Sequence, residues 1–371
     1  MSPRALRVVR SLAYCLGTAL FFEAASRLAL SIDALRTRIQ GHDDASKRLL
    51  WVATREGRNE VAYSFDVHHP TRGWALRPGI RELRVFGDRV LNSNSRGLRG
   101  TTEHPYRKPA GTRRVLVFGD SFTFGEDVSD DETYSHHLEQ RLSGVEVLNF
   151  GVHGYGHDQM LLYLREEGVK YQPDVVVLGF LYDDMERNLL GFRDYAKPHF
   201  ELRDGRLELR GVPVPSPEET LAREVFRSKF ADLWTILVGR WRSGAAEEHM
   251  KRLTLAILDE IARVVREAGA EPAFAYLPVW GELTRSTASM TRREQFFFGY
   301  CRERGIQSLH LQRFFVKKVK AGVKFRPYGH WGAEEHRTAA EGIAAYLLEK
   351  GLLPRELGRD PLPVEEKAGG P

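Results

Sequence analysis

Apolar runs of strand length recur along the chain at Val115–Phe118, Val145–Phe150, Asp174–Phe180, Pro272–Pro278 and Ile306–Leu311. Between them the pattern changes to a helical period. Leu138 and Leu142 stand i,i+4 within Thr133–Leu142, and helical stretches come next at His157–Glu167, Glu247–Ala268 and Arg292–Arg304. A last helix is predicted over Ala333–Lys350, where Ala340, Ile343, Ala344 and Leu347 fall on one face. Apolar strands alternating with helices imply a parallel sheet covered on both sides, an α/β fold class.

Residues 186–245 break this rhythm. Asp204-Gly205 between alternating segments signals a hairpin, and Leu221–Arg240 reads as an amphipathic helix. This stretch is expected to be an insertion over the strand ends, a candidate lid or substrate wall. Upstream, residues 33–60 are rich in Arg, Asp and Glu and read as a solvated helical stalk. Short strands and turns continue up to residue 110, around Gly73–Gly79 and Val90–Gly100. From Pro354 onward Pro, Gly and charge dominate, and disorder is expected. The division is therefore 1–32, a membrane anchor or signal; 33–110, stalk and accessory segment; 111–350, the α/β domain with its 186–245 insertion; and 351–371, the tail.

At the N-terminus Arg4, Arg7 and Arg10 precede the uncharged stretch Ser11–Phe22. Glu23 and Arg27 are spaced i,i+4 and can pair on one helix face. With that pair near the far interface, Ser11–Ile32 supplies the ~20 residues a bilayer core requires. The arginines then stay cytoplasmic and the rest crosses. A cleaved signal is the alternative, since Ala24-Ala25-Ser26 offers small residues. A buried amphipathic helix is the third reading.

Of the 371 residues 42% are hydrophobic and 28% charged, a globular balance. The net charge of +5 is a small excess of 55 basic over 50 acidic residues. It allows weak attraction to anionic surfaces. No P-loop, zinc spacing or RNA-binding aromatic signature is present, so no nucleic acid, metal or organic cofactor is expected. Cys15 falls in the N-terminal apolar stretch, so no intrachain disulfide with Cys301 is expected.

The first strand ends in Gly119-Asp120-Ser121. Crevices outside the carboxyl ends of such strands are where α/β sheets bind ligands. A serine in that turn presents a hydroxyl and a backbone N–H. The tripeptide is also ordinary turn chemistry. Catalysis is favoured by the order of residues downstream: Gly154 and Asp183 stand beyond later strands, and His330 just before the last helix.

The phrase FGDSFTFG, with that order, resembles the SGNH (GDSL-type) hydrolase family in its membrane-anchored bacterial form, over roughly residues 85 to 350. The resemblance implies a three-layer α/β/α, flavodoxin-like domain with about five parallel strands. It implies that Ser121 is the nucleophile and that His330, in Pro327–Arg337, is its base. The Ser121 and Gly154 backbone N–H groups would then hold the oxyanion. His336 would hold the histidine turn. Asn94, Gly97 and Arg99 resemble a segment preceding the nucleophile strand in such members; by themselves they read as a structural turn.

Two departures stand out. Asp183 occupies the oxyanion slot of the family's asparagine, and an ionised carboxylate cannot donate a hydrogen bond. It serves only if protonated, or if the register shifts. The aspartate that precedes the family's histidine is absent, since Arg326, Pro327, Tyr328 and Gly329 fill those positions. A backbone carbonyl, a remote acid, a Ser–His dyad or a damaged site are the alternatives. The expected function is a serine-dependent esterase or O-acyltransferase, periplasmic or extracellular, acting on acylated glycans or other esters. The rival is a catalytically impaired protein that binds glycan or an envelope assembly partner.

Overall fold

The computed structural model describes residues 2–39, 41, 43–54, 60–239 and 243–359. Its centre is a parallel sheet of five strands: β1 (Arg113–Gly119), β2 (Val145–Gly151), β3 (Val175–Phe180), β4 (Glu271–Tyr276) and β5 (Gln307–His310). The spatial order is β5-β4-β3-β1-β2. Val115 sits opposite both Val147 and Val175, and Ala273 opposite Val177 and Gln307. This is the flavodoxin-like order, whose switch point lies between β1 and β3.

Alternation along the strands builds both faces. Leu116, Phe118, Leu148, Phe150, Val176 and Leu178 point to one side, under helices His157–Glu166, Ser243–Glu267 and Arg292–Glu303. Val115, Val117, Val147, Val175, Val177 and Ala275 point to the other, under Tyr134–Gln140, Gln312–Lys320 and Ala333–Glu349. Each Val, Leu or Phe among them, once fully buried, contributes about 1.5–3 kcal/mol of transfer free energy. The result is the expected three-layer α/β/α domain.

Three sequence expectations change. Asp44–Thr54 is no solvated stalk: Ala45, Leu49 and Trp51 are buried, and the Trp51 indole N–H donates to the Val61 carbonyl at 2.6 Å. Its charge is turned inward, as Arg48 pairs with Glu224 at 2.9 Å and Asp232 at 2.6 Å. The predicted helix at Leu221–Arg240 is two helices, Pro217–Val225 and Lys229–Gly239, parted at Phe226–Ser228. The tail is ordered through Arg359: Leu353 is buried, Arg355–Leu357 forms a single turn, and the Arg359 N–H bonds to Arg141. Residues 360–371 of the expected tail lie outside the described residues.

The insertion contains the expected hairpin, His199–Arg203 against Arg206–Arg210, turning through Asp204 and Gly205 at φ of 49° and 76°. Its opening stretch is pinned. Asp44 accepts from the Gly191 and Phe192 N–H groups, and buried Lys197 reaches Asp158 and the Leu190 carbonyl. Both cysteines are free, Cys15 exposed and Cys301 buried.

Candidate active site

β1 delivers the chain to Asp120, which caps a single helical turn, Ser121–Phe124, by accepting the Phe122 N–H at 3.0 Å. Gly125 ends that turn at φ 92°, a left-handed conformation that glycine adopts freely. A side chain there would also meet Arg99 and Thr133 at under 3 Å. The reversal sends the Glu126 N–H back to the Ser121 carbonyl at 3.0 Å. Nucleophile candidate and acid are thus fixed in one small loop.

Arg99 clamps this loop from outside. It donates to the carbonyls of Phe124, Gly125 and Val128 at 2.6 Å each, and to Asp130 at 2.8 Å. Asn94 forms the turn that presents it, its side-chain oxygen accepting from the Arg96 and Leu98 N–H groups at 3.0 Å. Gly97, at φ 75°, closes the same turn against the Leu76 carbonyl.

His330 Nε2 lies 2.9 Å from Ser121 Oγ. The neighbouring Trp331 is fully buried and anchors the imidazole, its indole N–H donating to the Pro278 carbonyl at 3.0 Å. Phe122 packs beside the imidazole with ring centroids 5.0 Å apart. Glu335 closes the base of the histidine loop by accepting from the Gly332 and Arg326 N–H groups. His336 accepts the Tyr134 N–H at 3.1 Å, and burial holds it neutral, well below the usual histidine range.

Where no acid precedes His330 in sequence, the fold brings in one that sequence reading does not single out. Glu126 Oε2 is 3.2 Å from His330 Nε2 and almost fully buried. Burial pushes its carboxyl up, opposed by His330 and His153. Serine and glutamate share one nitrogen, and among the described residues no carboxylate pairs with Nδ1. Ser121 Oγ also lies 3.2 Å from Asp120 Oδ2. The Ser121 hydroxyl therefore has two acceptors within reach. The hydroxyl can donate to His330 Nε2, or to Asp120 when Nε2–H is given to Glu126. Asp120 is held in turn by Arg187 at 3.1 Å, which also pairs with Asp184 at 2.6 Å.

Gly154 lies beyond β2 at φ 73°. A side chain on it would run into the Asp194 carboxylate and the Arg193 guanidinium, two paired residues of the insertion. His153 beside it bonds Asp66 at 2.7 Å inside the protein. Burial alone would depress His153, but Asp66, Glu126 and Asp194 together raise it. Tyr63 stacks edge-on against His153, and burial with Glu126 and Asp194 nearby pushes its hydroxyl up to about 12. Tyr63, Trp51, Lys47, Arg193 and Asp194 border a cavity of about 250 Å³. Sequence reading gives no role to Tyr63, Asp66 or Glu126. Only Glu126 carries a local signal, its place directly after Gly125.

Asp183 stands apart from this cluster of bonds. Its carboxylate accepts from Arg293 at 3.1 Å. The downstream Asn188 is fully buried and engaged with Thr254, His157 and Asp158, so no register shift frees its amide.

No protein-family model and no curated protein matches the chain. Solved structures do. The chain is similar to TesA at 14% identity and a TM-score of 0.40, over 65% of this chain and 100% of that one. A lipolytic protein of the G-D-S-L family from Veillonella parvula matches at 12% identity and 0.38, over 64% and 97%. Axe2, an acetylxylan esterase from Geobacillus stearothermophilus, matches at 12% and 0.37, over 65% and 94%.

Proposed function

We propose that the chain is a serine-dependent ester hydrolase or O-acyltransferase of SGNH type, tethered by its N-terminal helix with the α/β domain outside the cytoplasm. The observation that carries this is the 2.9 Å contact between Ser121 Oγ and His330 Nε2, at the sheet's switch point. Ser121 attacks the ester carbonyl and its proton passes to Nε2. The new N–H faces Glu126, whose charge stabilises the imidazolium. Nε2 then returns the proton to the leaving alkoxide, giving an acyl-serine. Water or an acceptor hydroxyl releases the acyl group by the same steps reversed.

The Ser121 and Gly154 N–H groups are the oxyanion donors in this reading, with Asp194 displaced by substrate. Asp183 has a place in it only if protonated. The aromatic and charged rim of Tyr63, Lys47 and Arg193 suits an acylated glycan. Helix Pro3–Ser31 is long and apolar enough to cross a membrane. Retention rather than cleavage is favoured because Ser26 and Leu30 are buried against the domain.

Treating the full-length protein with a fluorophosphonate probe tests the reading. Mass spectrometry should place the adduct on Ser121, and Ser121→Ala should remove it. A second reading, a glycan-binding protein without turnover, is favoured by the Asp183–Arg293 pair and by the lack of a carboxylate at Nδ1 among the described residues. A wild type that takes no label, cleaves no ester and still binds glycan would establish it.

A further inference from the structure

Insertion helix Lys229–Gly239 carries an outward stripe that the catalytic site does not use. Phe226 is 91% exposed, Phe230 41%, Trp234 61% and Leu237 43%. The spacing of four and three places Phe230, Trp234 and Leu237 on one face of the helix, and Phe226 stands in the link just before it. The opposite face is spent inside, where Asp232 pairs with Arg48 and Ile236 packs with Leu30, Ala45 and Leu49. Large exposed aromatics in such a row mark an interaction surface.

The structure indicates what covers it. The helix runs beside Pro3–Ser31 and in the same direction, from Glu23 at its start to Leu30 beside Ile236. Glu23 accepts from Ser228 Oγ at 2.8 Å and from the Lys229 and Phe230 N–H groups at 3.0 and 3.1 Å. Arg27 pairs with Glu23 at 2.9 Å. A carboxylate in an apolar span is costly unless satisfied, and here it is satisfied by the open end of the insertion helix. Phe22 meets Phe230 with ring centroids 5.6 Å apart. The stripe is therefore continuous with exposed Phe21, Phe22 and Leu28 of the N-terminal helix.

We propose that residues 226–237 form a second membrane contact, the helix Lys229–Gly239 and the link before it lying against the anchor with Phe226, Phe230, Trp234 and Leu237 in the lipid. This rests on the anchor reading. Because the helix rises with the anchor, the link residue Phe226 is deepest and Leu237 shallowest, with Phe230 to Leu237 spread over about 10 Å of helix at 1.5 Å per residue. Aromatic residues at that level are those a membrane interface accommodates. The two contacts together fix the tilt of the α/β domain on the bilayer.

The test uses the full chain in phosphatidylcholine–phosphatidylglycerol nanodiscs on a Cys15→Ala background. Cys301 is buried, with its thiol pushed up to about 12, and stays unlabelled. Nitroxide is attached singly at Phe226→Cys, Phe230→Cys, Trp234→Cys and Leu237→Cys. Leu16→Cys reports the anchor and Lys320→Cys the aqueous reference. Collisions with oxygen relative to a water-soluble nickel complex should fall in order from 226 to 237, all above 320. If 16 is immersed while 226–237 match 320, the interfacial helix is wrong and the anchor stands. If 16 also matches 320, the anchor reading fails with it. Shielding of 226–237 from both collision partners would mean a protein cover and would overturn the lipid assignment.

Discussion

The part of the site carried by the sheet and the part laid over it by the accessory segment are held in different ways. Ser121 and His330 stand on backbone that the sheet dictates: the end of β1, and a loop whose Trp331 hangs from Pro278 just beyond β4. Tyr63, Asp66 and Arg99 come from the turns and short strands of the accessory segment, and side-chain contacts across the interface hold them. Asp66 reaches His153, and Arg99 reaches three carbonyls of the Ser121 loop. Rigid secondary structure locates Ser121 and His330, while side-chain bonds from a separate segment set the loop that carries Glu126. Mutating the first part should abolish chemistry at little cost in stability. Mutating the second should trade stability and pH response against smaller losses of rate.

The largest effect is expected at the reacting pair. Ser121→Ala and His330→Ala should each lower kcat by roughly 10⁴-fold or more, and the double variant by little more, because members of one catalytic unit are not additive. Urea denaturation of both should stay close to wild type; unfolding would contradict the division. Next comes Arg99→Ala, which orphans three carbonyls and Asp130. A loss of about 3–5 kcal/mol in urea unfolding is expected, and Arg99→Lys should not restore it, since an ammonium cannot match the guanidinium fork.

Glu126→Gln should lower kcat/KM about tenfold, or ~1.4 kcal/mol of barrier. Its effect on stability runs the other way. The folded carboxyl is raised, so the wild-type glutamate favours folding below its unfolded value and loses that contribution as pH rises through the folded value. Glutamine removes that decline, and melting temperatures measured from pH 4 upward should fall less steeply. Equal slopes would mean that the Glu126 carboxyl is solvated in the folded protein. The smallest effect is expected from Asp66→Asn. His153 is raised in the folded protein, so its contribution is complete below the unfolded value near 6.5 and is lost as pH rises through the folded one. The variant should flatten that loss while changing kcat modestly.

How much the sequence reveals divides along the same line. The β1–β5 runs, the Gly-Asp-Ser turn and the histidine before the last helix are legible because each depends on residues near it in the chain. Arg48 is not: a charged residue in a charged stretch reads as solvated, and only the fold brings Glu224 and Asp232 to it. Asp66 lies 87 positions from His153, and nothing local to either marks the pair. Gln312–Lys320 escapes notice because its Lys-rich run hides a short apolar face through Phe315 and Val316. Glu126 is within reach of sequence reasoning, since a glycine forced left-handed after a helical turn returns the next residue toward its start.

The anchoring of Trp331 has a consequence for engineering. The indole is suspended from the sheet independently of the stretch before His330, where Tyr328 is 81% exposed and Gly329 takes the left-handed conformation at φ 82°. Pro327–Gly329, beyond the Arg326 N–H that Glu335 holds, is thus a spacer rather than a scaffold. Segments of other length or composition can be grafted there, an acid-bearing one included, while the imidazole keeps its register.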